Sequence, residues 1–155
     1  MIYKYITFSF SIVFISFIVG MIMTAVVRKS NFYNVKLSSL NFIVSDWGNK
    51  LLGVGFVKWV VKNTVFKYLN PSLKCDRKMN ITDLQRIRSE MTKAEIDHLF
   101  AFVFVLIFVC VQLFNQKYLG ASIMLLVNVL MNLNPSLLQQ QNKRRIDKII
   151  NKFNA

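Results

Sequence analysis

The sequence predicts an all-α membrane protein with two to three transmembrane helices: a C-terminal helical hairpin plus an N-terminal signal anchor, with cytoplasmic amphipathic or interfacial helices between them. Three observations carry this. The 155 residues are 54% hydrophobic, with 14 Phe and a mean hydropathy of +0.42, more apolar surface than a soluble domain of this size buries. The apolar residues are gathered into three long runs. The net charge is +13, from 20 Lys and Arg against 7 Asp and Glu. Basicity together with apolar runs points to anionic membrane lipids as partners and away from nucleic acid.

The chain is read as one membrane domain over 1–155, and its first run covers 5–27. At 1.5 Å per residue it crosses a hydrocarbon core of about 30 Å. Its n-region holds only Lys4, the stretch is long for a cleaved leader, and no A-x-A site follows, so an uncleaved signal anchor is expected. The second run, 99–114, is short for a span, and a preceding amphipathic helix lengthens it. The third, 119–138, carries Asn128, Asn132, Asn134 and Pro135. Only a tight connection at 115–118 separates the last two runs, so they fold back as a hairpin.

Between the first two runs, residues 28–98 are expected to be cytoplasmic and interfacial. Residues 47–69 mix Trp47, Leu51, Phe56, Trp59, Val60 and Phe66 with Lys50, Lys58, Lys62 and Lys67, the pattern of an interfacial helix with aromatic anchors. Gly53 and Gly55 leave open two helices or a re-entrant element, and Asn70-Pro71 ends the stretch. Thr82-x-x-Gln85 is a capping-box signal, opening one long helix from about Asp83 into the second span. All Lys and Arg except Lys4 and Lys117 lie in 28–98 and 139–155. The positive-inside rule therefore puts 28–98 and the basic tail 139–155 in the cytoplasm, with the N-terminus outside. An integral protein of a bacterial cytoplasmic membrane is expected.

Cys75 and Cys110 form no CxxC and have no histidine nearby, so no metal site is expected, and Cys110 is read as packing like a small hydrophobe. Two clusters carry chemistry. The first is Glu90-Met91-Thr92-Lys93-Ala94-Glu95-Ile96-Asp97-His98, with the only histidine. Glu95 and His98 share a helical face, where a carboxylate can orient an imidazole as a general base. On spacing alone the plainer reading is an interfacial histidine beside a surface carboxylate. The second is a stripe of Asn128, Asn132, Pro135, Gln139 and Asn142, stepping by 4, 3, 4 and 3 along a helix; its plainer reading is hydrogen-bond glue between membrane helices. Hairpin geometry brings the clusters together, with His98 near Pro135 and Glu95 facing Leu138–Gln139. The adjoining Lys143, Arg144, Arg145 and Lys148 suit anionic head groups or phosphates.

At these two clusters the sequence resembles the glycosyl-4,4'-diaponeurosporenoate acyltransferase family of staphyloxanthin biosynthesis, over roughly 47–146. The first family signature, approximately E-x-x-R-A-E-x-x-H, is similar to 90–98, with Lys93 in place of Arg. The second, approximately N-x-x-P-x-x-x-Q-R-Y-N-R-P-R, is matched by Asn132, Pro135, Gln139, Asn142, Lys143 and Arg145. Gln140, Gln141 and Arg144 depart from it. A stretch containing Trp59, at 56–59, also fits loosely. The resemblance implies a membrane acyltransferase of carotenoid biosynthesis. It would move a fatty acyl group from a cytoplasmic acyl thioester, with no further cofactor, to a hydroxyl of a lipid-soluble acceptor, either a lipid or a glycosylated isoprenoid or carotenoid. His98 and Glu95 would be catalytic. Glu90, Asn132, Gln139, Asn142, Lys143, Arg144 and Arg145 would bind substrate: the amides at the oxyanion or sugar, the cations at donor phosphates. The alternative is a non-enzymatic membrane scaffold or assembly subunit. A channel or carrier is less favoured, because there are few spans and no acid mid-span. Nothing in the sequence sets an oligomeric state.

Overall fold

A computed structural model describes residues 2–64 and 80–153. Every regular element among them is helical: α1 (Ile2–Val27), α2 (Asn31–Val35), a 3-10 turn (Leu37–Ser39), α3 (Asp46–Leu51), α4 (Val54–Asn63), α5 (Ile81–Phe114), α6 (Tyr118–Asn128), a π turn (Val129–Leu133) and α7 (Asn134–Phe153). The last three run on as one rod. Three helices are long and apolar enough to cross a membrane, Ile2–Val27, Ile81–Phe114 and Tyr118–Phe153, so the expected range of spans resolves at its upper end.

The membrane half is a three-helix bundle. Ile12 and Val13 of α1, Val105 and Val109 of α5, and Ala121, Met124 and Val127 of α6 form its core. The outward faces keep large apolar side chains exposed, among them Phe14, Ile18, Val103, Ile107, Phe114 and Leu126, as a surface against acyl chains requires. Cys110 is also exposed. It faces outward among these residues. The buried face of α1 includes Ser9, Ser16, Gly20 and Thr24, and such small residues let backbones approach closely. A Cβ at Gly20 would collide with the carbonyl oxygen of Asp97. Ser9 and Ser16 donate back to the carbonyls of Tyr5 and Val13, each at 2.7 Å.

α5 has 34 residues, about 51 Å at 1.5 Å each, so it outruns a bilayer core. Its opening half carries the amphipathic pattern. Leu84, Ile87 and Met91 meet Ile146, with Ile150 packed against them, and Arg88 Nε donates to Asp147 Oδ1 at 2.5 Å. Residues 139–153 are therefore a packed helix rather than a loose tail. The helix start differs from the Thr82 capping box: Asn80 is the cap, its Oδ1 accepting from the Asp83 N–H at 2.8 Å, and asparagine is among the strongest N-caps. The described part of the stretch 47–69 is two helices, broken where Gly53 adopts φ +77°, a conformation glycine takes without strain. Val54 packs against Leu137 and Leu138 of α7. Phe66, Lys67, Asn70, Pro71 and Cys75 lie outside the described residues.

At the hairpin, α5 stops at Phe114 and α6 starts at Tyr118. Gln116 takes a positive φ of 59° to reverse the chain. The rod then meets Pro135, which has no N–H to donate and whose ring crowds the preceding turn. The wider π turn Val129–Leu133 precedes it and inserts one residue into the helical count.

Candidate functional site

The inserted residue sets the site's register. Up to Asn132 the expected stripe is buried; beyond it, the buried polar positions are Asn134, Ser136, Gln140 and Lys143, whereas Pro135, Gln139 and Asn142 are half-buried. The stripe is thus displaced by one from Pro135 onward. An unbroken 3.6-residue period, assumed from the spacing, does not survive the π turn. In consequence Glu95 faces Gln140 and Lys143 instead of Leu138–Gln139.

Glu95 is fully buried. One carboxylate oxygen accepts from Gln140 Nε2 at 2.9 Å, and the other is ion-paired with Lys143 Nζ. Lys143 also donates to the carbonyls of Ser38 at 3.2 Å and Leu40 at 3.5 Å. Gln140 Oε1 accepts from the Phe42 N–H at 3.0 Å, and Arg144 donates to Asn41 Oδ1. The strand of chain from Ser38 to Phe42 is thereby strapped across the buried pair. A cleft of about 210 Å³ opens beside it, lined by Ser38, Asn41, Arg88, Gln140, Lys143 and Arg144 among others. Tyr33 of α2 is buried close by. Burial pushes its phenol above the ordinary value, with Arg28 opposing and Asp97 and Glu95 adding.

His98, one turn along α5, is in a different state. Its ring stands edge-on to Phe17 of α1, centroids 5.6 Å apart, and the Asn132 side chain lies beside it. Neither His98 Nδ1 nor Asn132 Oδ1 has a hydrogen-bond partner among the described residues. Asn132 Nδ2 is committed, donating to Asn128 Oδ1 at 2.8 Å and Ser16 Oγ at 3.3 Å; Asn128 in turn donates to the Phe102 carbonyl at 3.1 Å. This amide ladder fixes the depth of Asn132 relative to α1 and α5. Ser136 Oγ and Gln139 Oε1 are further buried oxygens without a partner among the described residues.

The structure thus brings His98 to Asn132, and Glu95 to the downstream helix, as hairpin geometry anticipates. It does not pair Glu95 with the imidazole, because both carboxylate oxygens are taken up by Gln140 and Lys143. Lys143 is correspondingly turned inward rather than offered to a donor phosphate. Glu90 is exposed. Arg145 is exposed too and stands near Lys58 of α4: burial pulls the Lys58 ammonium below its ordinary value, and Arg145 and Lys62 add to that. Cations from two helices thus converge there. No group of three His, Cys, Asp or Glu suited to a metal ion occurs among the described residues.

Sequence reasoning missed Ser16, Phe17, Tyr33 and Gln140. The signal for the first was present, since Ser9, Ser16, Gly20 and Thr24 keep helical spacing. Gln140 needed the π turn, for which Pro135 is the local cue.

Residues 29–152 match the family model described as glycosyl-4,4'-diaponeurosporenoate acyltransferase. No curated protein and no solved structure matches the chain.

Proposed function

We propose, from the premise that this chain belongs to the glycosyl-4,4'-diaponeurosporenoate acyltransferase family, that it moves a fatty acyl group from a cytoplasmic acyl thioester to a hydroxyl of a membrane-held acceptor. That acceptor is a lipid or a glycosylated isoprenoid. One observation carries the assignment of the base: the Asn132 side chain lies beside His98, and His98 Nδ1 and Asn132 Oδ1 are both buried without a hydrogen-bond partner among the described residues. In this reading Nδ1–H donates to that oxygen, which selects the tautomer whose Nε2 lone pair is free to accept a proton.

In this reading the acceptor hydroxyl attacks the thioester carbonyl while its proton passes to Nε2. The tetrahedral oxyanion collapses, the carbon–sulfur bond breaks, and the leaving thiolate takes the proton back from the imidazolium. Asn132 is a positioning residue for His98. Gln139 and Asn142, half-buried nearby on α7, supply amide donors to the oxyanion or the acceptor. Glu95 and Lys143 hold the strap and the α5–α7 register instead of touching substrate. Arg145, with Lys58 and Lys62, takes the donor's phosphates. The Lys and Arg distribution puts this end of the bundle at the cytoplasmic face, among anionic head groups.

The scaffold alternative has the amide-bearing helix pack against other chains, so that Asn132→Leu and Gln139→Leu disturb assembly while His98→Ala does nothing. The test is transfer from a fatty acyl thioester to a glycosylated isoprenoid in membranes carrying His98→Ala. Correct insertion with a loss of about 10²–10⁴ in rate is expected; full activity overturns the mechanism.

A further inference from the structure

At the end of the bundle away from His98, α1 and α5 part to leave a slot of about 370 Å³, whose lining includes Lys4, Tyr5, Phe8, Phe108, Gln112 and Lys117. We propose that this slot holds an anionic phospholipid, its head group on the two lysines and acyl chain against the aromatic wall.

Charge is the first argument. Lys4 and Lys117 are exposed, and residues 1–27 and 98–146 contain no Asp or Glu. The nearest acid in sequence along α5 is Asp97, whose carbonyl meets Gly20, while Tyr5 lies against Gly120. Fifteen residues of α1 separate those contacts, so Asp97 is about 22 Å farther along the bundle, well beyond a Debye length of about 8 Å. Two cations thus flank one slot with no carboxylate of the described residues in range. A basic pocket between membrane helices suits a lipid phosphate.

The lining is the second argument. Its Tyr and Phe rings present a surface for a hydrocarbon chain, which a free anion would not use. Gln112 is 8% exposed. Its Nε2 is spent on Met124 Sδ at 3.5 Å, and its Oε1 has no partner among the described residues. A buried acceptor left open calls for a donor, and a hydroxyl of a glycerol head group is one. Phosphatidylglycerol combines both features and is the probe of choice.

The full chain in phosphatidylcholine nanodiscs, titrated with phosphatidylglycerol, is followed by native mass spectrometry and thermal unfolding. Phosphatidylglycerol is expected to be retained and to raise Tm. The Lys4→Gln/Lys117→Gln variant is expected to bind it roughly 30-fold more weakly. A control, Lys148→Gln/Lys152→Gln at the basic end, should keep the effect. The proposal is overturned if the first variant retains the lipid like wild type. It is equally overturned if the control variant loses the lipid, if added phosphatidylcholine raises Tm as much, or if inorganic phosphate alone reproduces the shift.

Discussion

Glu95 and His98 sit one turn apart on α5, yet their surroundings are opposite. Around Glu95 each polar group has a partner: Gln140, Lys143, and through them Phe42, Ser38 and Leu40. At His98 and along α7 polar atoms stand open: His98 Nδ1, Asn132 Oδ1, Ser136 Oγ and Gln139 Oε1 have no partner among the described residues. A closed network rigidifies a fold. An open one costs stability and leaves atoms free for a ligand. Within one short stretch of helix the molecule therefore sets a closed polar network beside an open one.

The sharpest way to break this contrast is to measure both properties in variants of both residues. His98→Ala should abolish most transfer while lowering stability by less than about 1.5 kcal/mol, since it loses an edge-on contact with Phe17 and the neighbouring Asn132 side chain. Glu95→Gln should do the reverse. It strands the buried Lys143 ammonium and costs about 3–5 kcal/mol. Glu95→Gln/Lys143→Met should recover most of that in thermal or denaturant unfolding. If the double variant regains stability but transfers no acyl group, Glu95 belongs with the chemistry after all.

Asn132→Leu tests the boundary between the two regions. It removes one rung of the amide ladder, a loss of about 0.6 kcal/mol and at most about 1.7, but it also leaves the imidazole without its neighbour. The rate should fall further than the stability accounts for, and the pH profile of kcat should change shape. An unchanged profile would make Asn132 mere packing. The smallest effect is expected at Arg88→Ala. Its pair with Asp147 is about a third exposed on both sides, so unfolding should shift by under about 1 kcal/mol.

The architecture was legible in the sequence because spans are written in bulk hydropathy. Three runs, a short connection and a strong asymmetry of Lys and Arg define a bundle with little help from detail. The meeting of His98 with the Asn-bearing helix was legible for a similar reason: a tight hairpin fixes opposing depths. Finer pairings were not. Whether Glu95 meets Gln139 or Gln140 depends on one inserted residue, and hydrophobic period averages over such an insertion. The strap from Ser38 to Phe42 was unreadable because its hold comes from Gln140, Lys143 and Arg144 across about 100 positions of chain. Short irregular segments carry no periodicity to betray that.

The π turn has one more consequence, for how such a chain can change over generations. A deletion of one residue within 129–133 would take out the insertion and leave Gln140 and Lys143 in their seats, whereas straightening the turn with every residue kept would rotate everything after it by about 100°. Gln139 and Asn142 would swing into the seats of Gln140 and Lys143. Glu95 would then exchange an ammonium for a neutral amide although every side chain kept its identity. In this rod a codon lost inside the turn is absorbed, while loss of the turn itself redirects the partnership as thoroughly as several substitutions.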